Sequence, residues 1–272
     1  MKEKDIKLKK EDLISHLKKM DSLLVAFSGG VDSTFLLAVA HQTLGDRVVA
    51  VTANSPTYPL MEREEAIRFT KERGIPHIVI QSDETTIPEF VANAPDRCYH
   101  CKKSLCRELL EIAKERDTKY VAHAANMDDL NDYRPGLAAM DEMGLIAPLV
   151  EVQLTKKEIR ALSKDMGLPT WDKPAMACLA SRIPYGDTIT EPRLQMVERA
   201  EALLAAKGVT QYRVRLHGSL ARIEVDQSEI KRITEPELRK SIVEEFRHIG
   251  FDHIAVDLEG FVSGSMNRAL KK

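Results

Sequence analysis

Two clusters of residues in this 272-residue chain have the types and spacing to do chemistry. The first is Ser28, Gly29, Gly30, Val31, Asp32 and Ser33, directly behind the apolar run S-L-L-V-A-F at 22–27. A glycine pair after a strand lets the backbone turn sharply, and a helix opening there aims unsatisfied N–H groups and its positive dipole end at an anion. Ser28 and Ser33 add hydroxyl donors, and Asp32 is placed to help position Mg2+ beside bound phosphates. The lysine of G-x-x-x-x-G-K-[ST] is missing, so this is not a Walker A loop. A bare βα turn is the alternative, and the order strand, loop, helix argues against it. The second cluster is made of thiols. Cys98 and Cys101 form C-x-x-C, Cys106 follows five residues on, and Cys178 lies far along the chain in P-A-M-A-C-L-A-S-R. The pair can be a redox couple, or a zinc half-site completed by a residue such as His100 or His123. Were Cys178 to return to the same cleft, Cys98, Cys101 and Cys178 would hold a 4Fe-4S cluster at three irons and leave the fourth open to hydrosulfide. Four buried free thiols remain a further reading. Cys106 falls off the ligand face and is expected to be a spectator.

These groups need elements to position them. After an amphipathic helix at 11–20, strands are expected at 22–27, 47–52, 77–81 and 120–124, alternating with helices at 33–44, 61–73 and about 98–116. That rhythm predicts an α/β fold, a Rossmann-like parallel sheet covered on both faces, with ligands at the carboxyl ends of its strands. The segment T-A-N-S-P-T-Y at 52–58 follows the second strand and is placed to meet adenosine. The run 123–136 follows the fourth, and its Asn126, Asp128, Asp129 and Asp132 can hold magnesium or ribose hydroxyls, or simply cap a polar loop. Thr155 and Glu158 in T-K-K-E form a capping box for a helix through Met166. From about 186 the pattern changes to helix 192–207, strands 211–216 and 221–225, helix 235–249 and strand 253–258. This divides the chain into a nucleotide-binding domain at 1–186 and a smaller α+β domain at 187–272 for substrate binding and oligomerisation.

Composition excludes several classes. Hydrophobic residues make up 43% and charged residues 30%, as in an ordinary globular protein. A formal charge of -2 supplies no global basic field, which argues against nucleic acid as partner. The charged N-terminus has no apolar leader, and no run is long enough to span a bilayer, so a cytoplasmic location and no membrane partner are expected. Four cysteines in such a chain read as reduced thiols, metal ligands or catalytic groups.

The hexapeptide S-G-G-V-D-S resembles the PP-loop of ATP pyrophosphatases (adenine nucleotide alpha hydrolase-like), which release pyrophosphate as AMP joins a substrate. Together with R-C-Y-H-C-K, N-D-Y-R-P-G, W-x-K-P-A-x-x-C-x-x-S-R-x-P-Y-G and R-V-R-x-H, the chain is similar to the LarE family from about Asp21 to Asn267. The resemblance implies an ATP-dependent sulfurtransferase acting on a pyridinium mononucleotide, pyridinium-3,5-biscarboxylic acid mononucleotide, in synthesis of the nickel-pincer nucleotide cofactor of lactate racemase. It implies a sulfide donor and a homo-oligomer. In one branch of that family a lone cysteine surrenders its own sulfur. Here Ala177 occupies that position and Cys178 is displaced by one, so the three-cysteine pattern is similar to the branch using a 4Fe-4S cluster.

The resemblance also gives the second domain a task. Arg213 and Arg215 alternate along a strand and share one face, where two guanidinium forks would grip the substrate phosphate with Glu224 beside them. The solvent face of a strand is the competing reading. Arg182, near Cys178, is a further candidate for the substrate carboxylate or phosphate, against a structural salt bridge. A PP-loop tRNA thiolation enzyme and a nucleotide-binding protein with a structural zinc site are the rival functions.

Overall fold

The computed structural model describes residues 3–131, 134–174, 177–262 and 264–271. The chain divides into two units, Met1–Asp83 with Cys98–Met176, and Glu84–Arg97 with Ala177–Lys272. In the first, α1 (Glu3–Leu17), β1 (Leu23–Ala26), α2 (Val31–Leu44), β2 (Val48–Asn54), α3 (Leu60–Glu72) and β3 (His77–Gln81) precede a short α4 (Pro88–Val91) that belongs to the second unit. Then come α5 (Arg97–Glu115), β4 (Tyr120–Ala122), α6 (Pro135–Glu142), α7 (Pro148–Glu151) and α8 (Lys156–Asp165). The four strands are parallel in the order β3-β2-β1-β4, with Leu23 opposite both Val48 and Tyr120.

Successive side chains of a strand point to opposite faces, and both faces of β1 and most of β2 are dry, whereas the edge strand β3 stays partly exposed, with Val79 at 39%. Leu23, Val25, Val48 and Ala50 pack with Leu13, Phe35 and Ile159 of the helices on one side. Leu24, Val49 and Val51 meet Cys106, Leu109 and Met140 on the other. Helix α2 is apolar almost all round, so Phe35 to Ala40 are all buried and the loop before it is anchored to the centre of the sheet. Most expected elements form close to their predicted bounds, but the first helix, expected at 11–20, instead runs Glu3–Leu17; α8 opens on its capping box: Thr155 accepts from the Glu158 N–H while Glu158 accepts from that of Thr155. Pro135 and Gly136, read as the end of a polar loop at 123–136, instead open a helix that runs to Glu142, and the missing N–H of Pro135 costs nothing at that position. Among the described residues no helix is long and apolar enough to cross a membrane.

The second unit contains α9 (Glu191–Ala206), β5 (Tyr212–His217), β6 (Leu220–Val225), α10 (Gln227–Ile233), α11 (Pro236–Ile249) and β7 (His253–Val256). β5 and β6 form an antiparallel hairpin and β7 lies parallel to β6. This unit begins at Ala177, earlier than residue 187, and it also takes 84–97 from the first half of the chain. The reason is Asn93, fully buried with φ 55°, whose side-chain amide donates to the carbonyls of Pro184 (2.7 Å) and Asp187 (2.8 Å). Its own carbonyl accepts from Gly186, and Val91 accepts from Ile189. No composition shift announces such a graft.

Candidate functional site

The loop between β1 and α2 turns at Gly29, with φ 61°, and enters the helix at an extended Gly30. A Cβ on Gly29 would stand 3.1 Å from that of Ala66 on α3. Gly29→Ala therefore combines left-handed strain of about 1–2 kcal/mol with a tight contact. The expected result is a lower urea midpoint together with weaker nucleotide binding. The Ser28 and Ser33 hydroxyls lie 3.1 Å apart, Ser33 also donates to the Gly30 carbonyl at 3.2 Å, and the Tyr58 hydroxyl donates to the Ser28 carbonyl. Burial, with Glu62 near, holds the Tyr58 phenol in its protonated, donating form. Lys173 lies 2.7 Å from Glu62 and 2.6 Å from Glu65, and contacts the Gly29 carbonyl at 3.5 Å. The first N–H groups of α2 lack intrahelical partners by the geometry of a helix start.

Asp32 sits in the first turn of that helix. Its Oδ2 receives Lys156 Nζ at 2.5 Å, while its Oδ1 is buried without a hydrogen-bond partner. Burial raises the Asp32 pKa, and Lys156 opposes that shift. An unmatched carboxylate oxygen among serine hydroxyls and helix N–H groups fits a magnesium ion accompanying a polyphosphate. The other magnesium candidates have structural duties. Asn126 Oδ1 accepts from the Asp128 N–H, Asp128 Oδ2 from the Lys156 N–H at 2.7 Å, and Asp129 from the Asn126 N–H and from Arg134. These bonds tie the loop after β4 to the start of α8. Asp132 lies outside the described residues.

Cys98 and Cys101 lie on α5, three residues apart and so on one face, the first exposed and the second half-buried. Cys106 is buried in the sheet-facing core of the same helix, and burial raises its thiol pKa. Cys178 is exposed and belongs to the second unit. Among the described residues, no three His, Cys, Asp or Glu side chains are grouped so as to hold a metal ion. His123, one of the proposed zinc ligands, is buried after β4 with Nε2 unpartnered, and burial lowers its pKa.

In the second unit Arg182 is fully buried and bidentate on Glu201, at 2.8 Å through both Nε and Nη2. Its Nη1 donates to the carbonyls of Ala177 (2.6 Å) and Cys178 (3.1 Å), so this guanidinium holds the backbone of the cysteine. Glu201 also accepts the Val214 N–H. Glu201→Ala strands a buried cation and is expected to cost about 3–5 kcal/mol, read as a drop in the denaturant midpoint. Arg213 and Arg215 share a face of β5 as predicted, but the strand is covered on both sides from Tyr212 to Leu216, which excludes the solvent-face reading. Arg215 is bidentate on Glu224 and donates to the Ser181 carbonyl. Burial and the neighbouring Arg182 charge bring the Arg213 pKa down to about 10, still cationic near neutrality. Beside Arg182 and Arg215 opens a cavity of about 460 Å³, lined also by His217, Arg222, Glu224 and Arg268. Arg222 bridges Glu224 and Asp257. Sequence reasoning missed Lys156, Lys173, Glu201, His217 and Arg222. Lys156 stood in plain view inside the capping box and was read there only as a helix start.

None of the known protein-family models matches the chain. The uncharacterized protein slr1717 of Synechocystis sp. is 43% identical over 264 residues, 97% of this chain and 98% of that one. A pyridinium-3,5-bisthiocarboxylic acid mononucleotide synthase of Lactiplantibacillus plantarum is 36% identical over 265 residues, 97% of this chain and 95% of the relative. A glutamine-hydrolysing GMP synthase of Hahella chejuensis is 26% identical over 185 residues, 58% of this chain and 34% of that protein. The last match is consistent with the phosphate loop and parallel sheet being shared among ATP-using PP-loop enzymes. The near end-to-end match to the Lactiplantibacillus protein goes further: the chain is an enzyme belonging to the pyridinium-3,5-bisthiocarboxylic acid mononucleotide synthase family, the LarE sulfurtransferases of PP-loop fold.

Proposed function

We propose that this enzyme uses ATP to adenylate the carboxylates of pyridinium-3,5-biscarboxylic acid mononucleotide and then replaces AMP by sulfur. The observation that carries the first half is Asp32, with one oxygen on Lys156 and the other buried and unmatched, at the N-terminus of α2. A carboxylate oxygen of the substrate attacks the α-phosphorus of ATP, the bond to the bridging oxygen breaks, and pyrophosphate leaves. The helix N–H groups, Ser28 and Ser33 are placed to bind the departing phosphates, and Asp32 would hold a magnesium ion that neutralises their charge. A sulfur nucleophile next attacks the acyl carbon of the mixed anhydride. The C–O bond to AMP breaks, and loss of the sulfur-bound proton to solvent leaves a thiocarboxylate. A carboxylate accepts such attack only once its oxygen has become a good leaving group, which is why ATP is needed.

Cys98, Cys101 and Cys178 are the ligands we assign to a 4Fe-4S cluster, and the two exposed thiols and the half-buried one have the softness this requires. Bound there, such a cluster supplies an iron site able to hold hydrosulfide from a sulfide donor. Arg215, Arg213 and Glu224, with Arg182 behind them, form the substrate-phosphate side of the second unit. A cytoplasmic homo-oligomer completes the reading.

The test is anaerobic purification followed by iron and sulfide counts, a visible spectrum, and incubation with ATP and the pyridinium mononucleotide. AMP, pyrophosphate and a thiocarboxylate product are expected from a brown protein. A colourless, iron-free protein after reconstitution rejects the cluster, and failure to form AMP rejects the adenylation.

A further inference from the structure

The end of β1 is held from behind by a buried chain of side chains. Thr52 of β2 and Thr70 of α3 are each 1% exposed, and the half-buried ring of His77, the first residue of β3, lies between them. His77 Nδ1 is 2.9 Å from the Thr70 hydroxyl and Nε2 is 2.9 Å from the Thr52 hydroxyl, while Thr52 donates at 2.7 Å to the carbonyl of Phe27. Phe27 is the residue before Ser28, and its ring meets that of His77 edge-on at 6.0 Å. The hydroxyl protons set the order of this chain. A hydroxyl has one proton and a carbonyl can only accept, so the Thr52 proton belongs to Phe27. Thr52 then turns a lone pair to His77, and Nε2 carries the hydrogen between them. Burial lowers the His77 pKa, so the ring is neutral near pH 7 and Nδ1 accepts from Thr70. Thr52 opens the segment expected to meet adenosine, yet its hydroxyl is committed inward.

We propose that His77 is a positioning residue for the phosphate loop: by donating from Nε2 it keeps the Thr52 hydroxyl turned onto the Phe27 carbonyl, and so fixes the peptide from which Ser28 to Ser33 departs. This deepens the reading above and rests on that loop binding the polyphosphate of ATP. His77 itself acts through Thr52 and touches no nucleotide. The next carbonyl, that of Ser28, receives the Tyr58 hydroxyl, so two successive peptides at the root of the loop are held by side chains of β2 and of the segment after it. Gly29 and Gly30 have no side chains with which to fix themselves, and the loop inherits its place from the peptides before it. Groups that bind a ligand must be held to within about 0.5 Å of their productive place, and that is what support behind the loop supplies.

Glutamine and asparagine separate the two ring nitrogens. The amide of glutamine ends near the place of Nε2 and can donate to Thr52, whereas that of asparagine ends near the place of Nδ1 and falls short. ATP, inorganic pyrophosphate and AMP are titrated with Mg2+ into the full-length protein by calorimetry, for wild type, His77→Gln, His77→Asn, Thr52→Ser and Thr52→Val, and each urea midpoint is measured. His77→Asn and Thr52→Val are expected to weaken ATP and pyrophosphate by about 5- to 10-fold, and AMP, which lacks the β- and γ-phosphates, by less than about twofold. His77→Gln and Thr52→Ser are expected to recover most of that affinity, although both histidine variants lose the ring beside Phe27 and should melt at lower urea. The double variant His77→Asn/Thr52→Val is expected to bind ATP no more weakly than either single one, because both break the same chain. Should His77→Asn not fold, Thr52→Val against Thr52→Ser makes the comparison at a site of unchanged volume. Equal losses for glutamine and asparagine, a parallel fall for AMP, or unchanged ATP affinity in Thr52→Val overturns the role of His77 while leaving the ATP-using reading intact. A wild-type protein that binds neither ATP nor pyrophosphate overturns both.

Discussion

Asp32→Asn is expected to leave a folded protein whose AMP-forming turnover has fallen by about 100- to 1,000-fold, the scale on which removing one preorganised electrostatic group acts. Asparagine keeps the shape of the side chain and removes only the charge that faces Lys156 and the metal position. Stability should move the other way. Burial lifts the Asp32 pKa above its ordinary 3.8, so the folded state holds this proton more tightly than the unfolded chain does. The stabilisation from that proton is complete below pH 3.8 and is lost as pH rises through the folded pKa, leaving the ionised carboxylate a net cost near neutrality. The asparagine variant should therefore melt no earlier than wild type at pH 7. An Asp32→Asn protein that is inactive because it has unfolded, or that retains full turnover, would contradict this account.

The second large effect is expected at Cys178. Cys178→Ala should reduce thiocarboxylate formation to background while AMP and pyrophosphate still form in the presence of the pyridinium mononucleotide. In the proposed mechanism the two half-reactions draw on different residues, with ATP assigned to the Ser28–Ser33 loop and sulfur to the thiols. Cys178 is exposed, and its carbonyl, not its sulfur, is what Arg182 grips. The substitution therefore leaves the buried Arg182–Glu201 pair intact and should not lower the denaturant midpoint appreciably. Mass spectrometry of the pyridinium product, run beside an AMP assay, separates the two steps. Wild-type thiolation by Cys178→Ala would remove this cysteine from the mechanism.

The parts of this protein legible from sequence are those whose physics is local. Strand, glycine pair and helix follow one another without a gap at 22–44, and Thr155 meets Glu158 within one helical turn. Strand alternation likewise places Arg213 and Arg215 on one face. It is silent on what covers that face, so the deep burial of both guanidiniums and the pairing of Arg215 with Glu224 emerge only once the hairpin is packed. Lys156 shows the same limit more sharply, because its nearness to Asp32 depends on the packing of α8 beside α2. The division at 186 follows a visible change in pattern, whereas the transfer of 84–97 depends on one buried asparagine and has no compositional signature.

That asparagine also bears on how the chain is made. The carbonyls that receive its amide lie 91 and 94 residues downstream, so during synthesis they emerge long after Asn93 itself. Until then the peptide around it carries Phe90, which ends almost wholly buried, while most of its own unit is still unmade. A nascent chain can complete the sheet around β1 while this peptide waits as an uncovered excursion. A fragment ending near residue 176 would carry the same excursion permanently, with a sticky aromatic and an unsatisfied amide. The two units are thus coupled in their production, and excising the first as a free-standing module would require cutting away 84–97 and rejoining the ends.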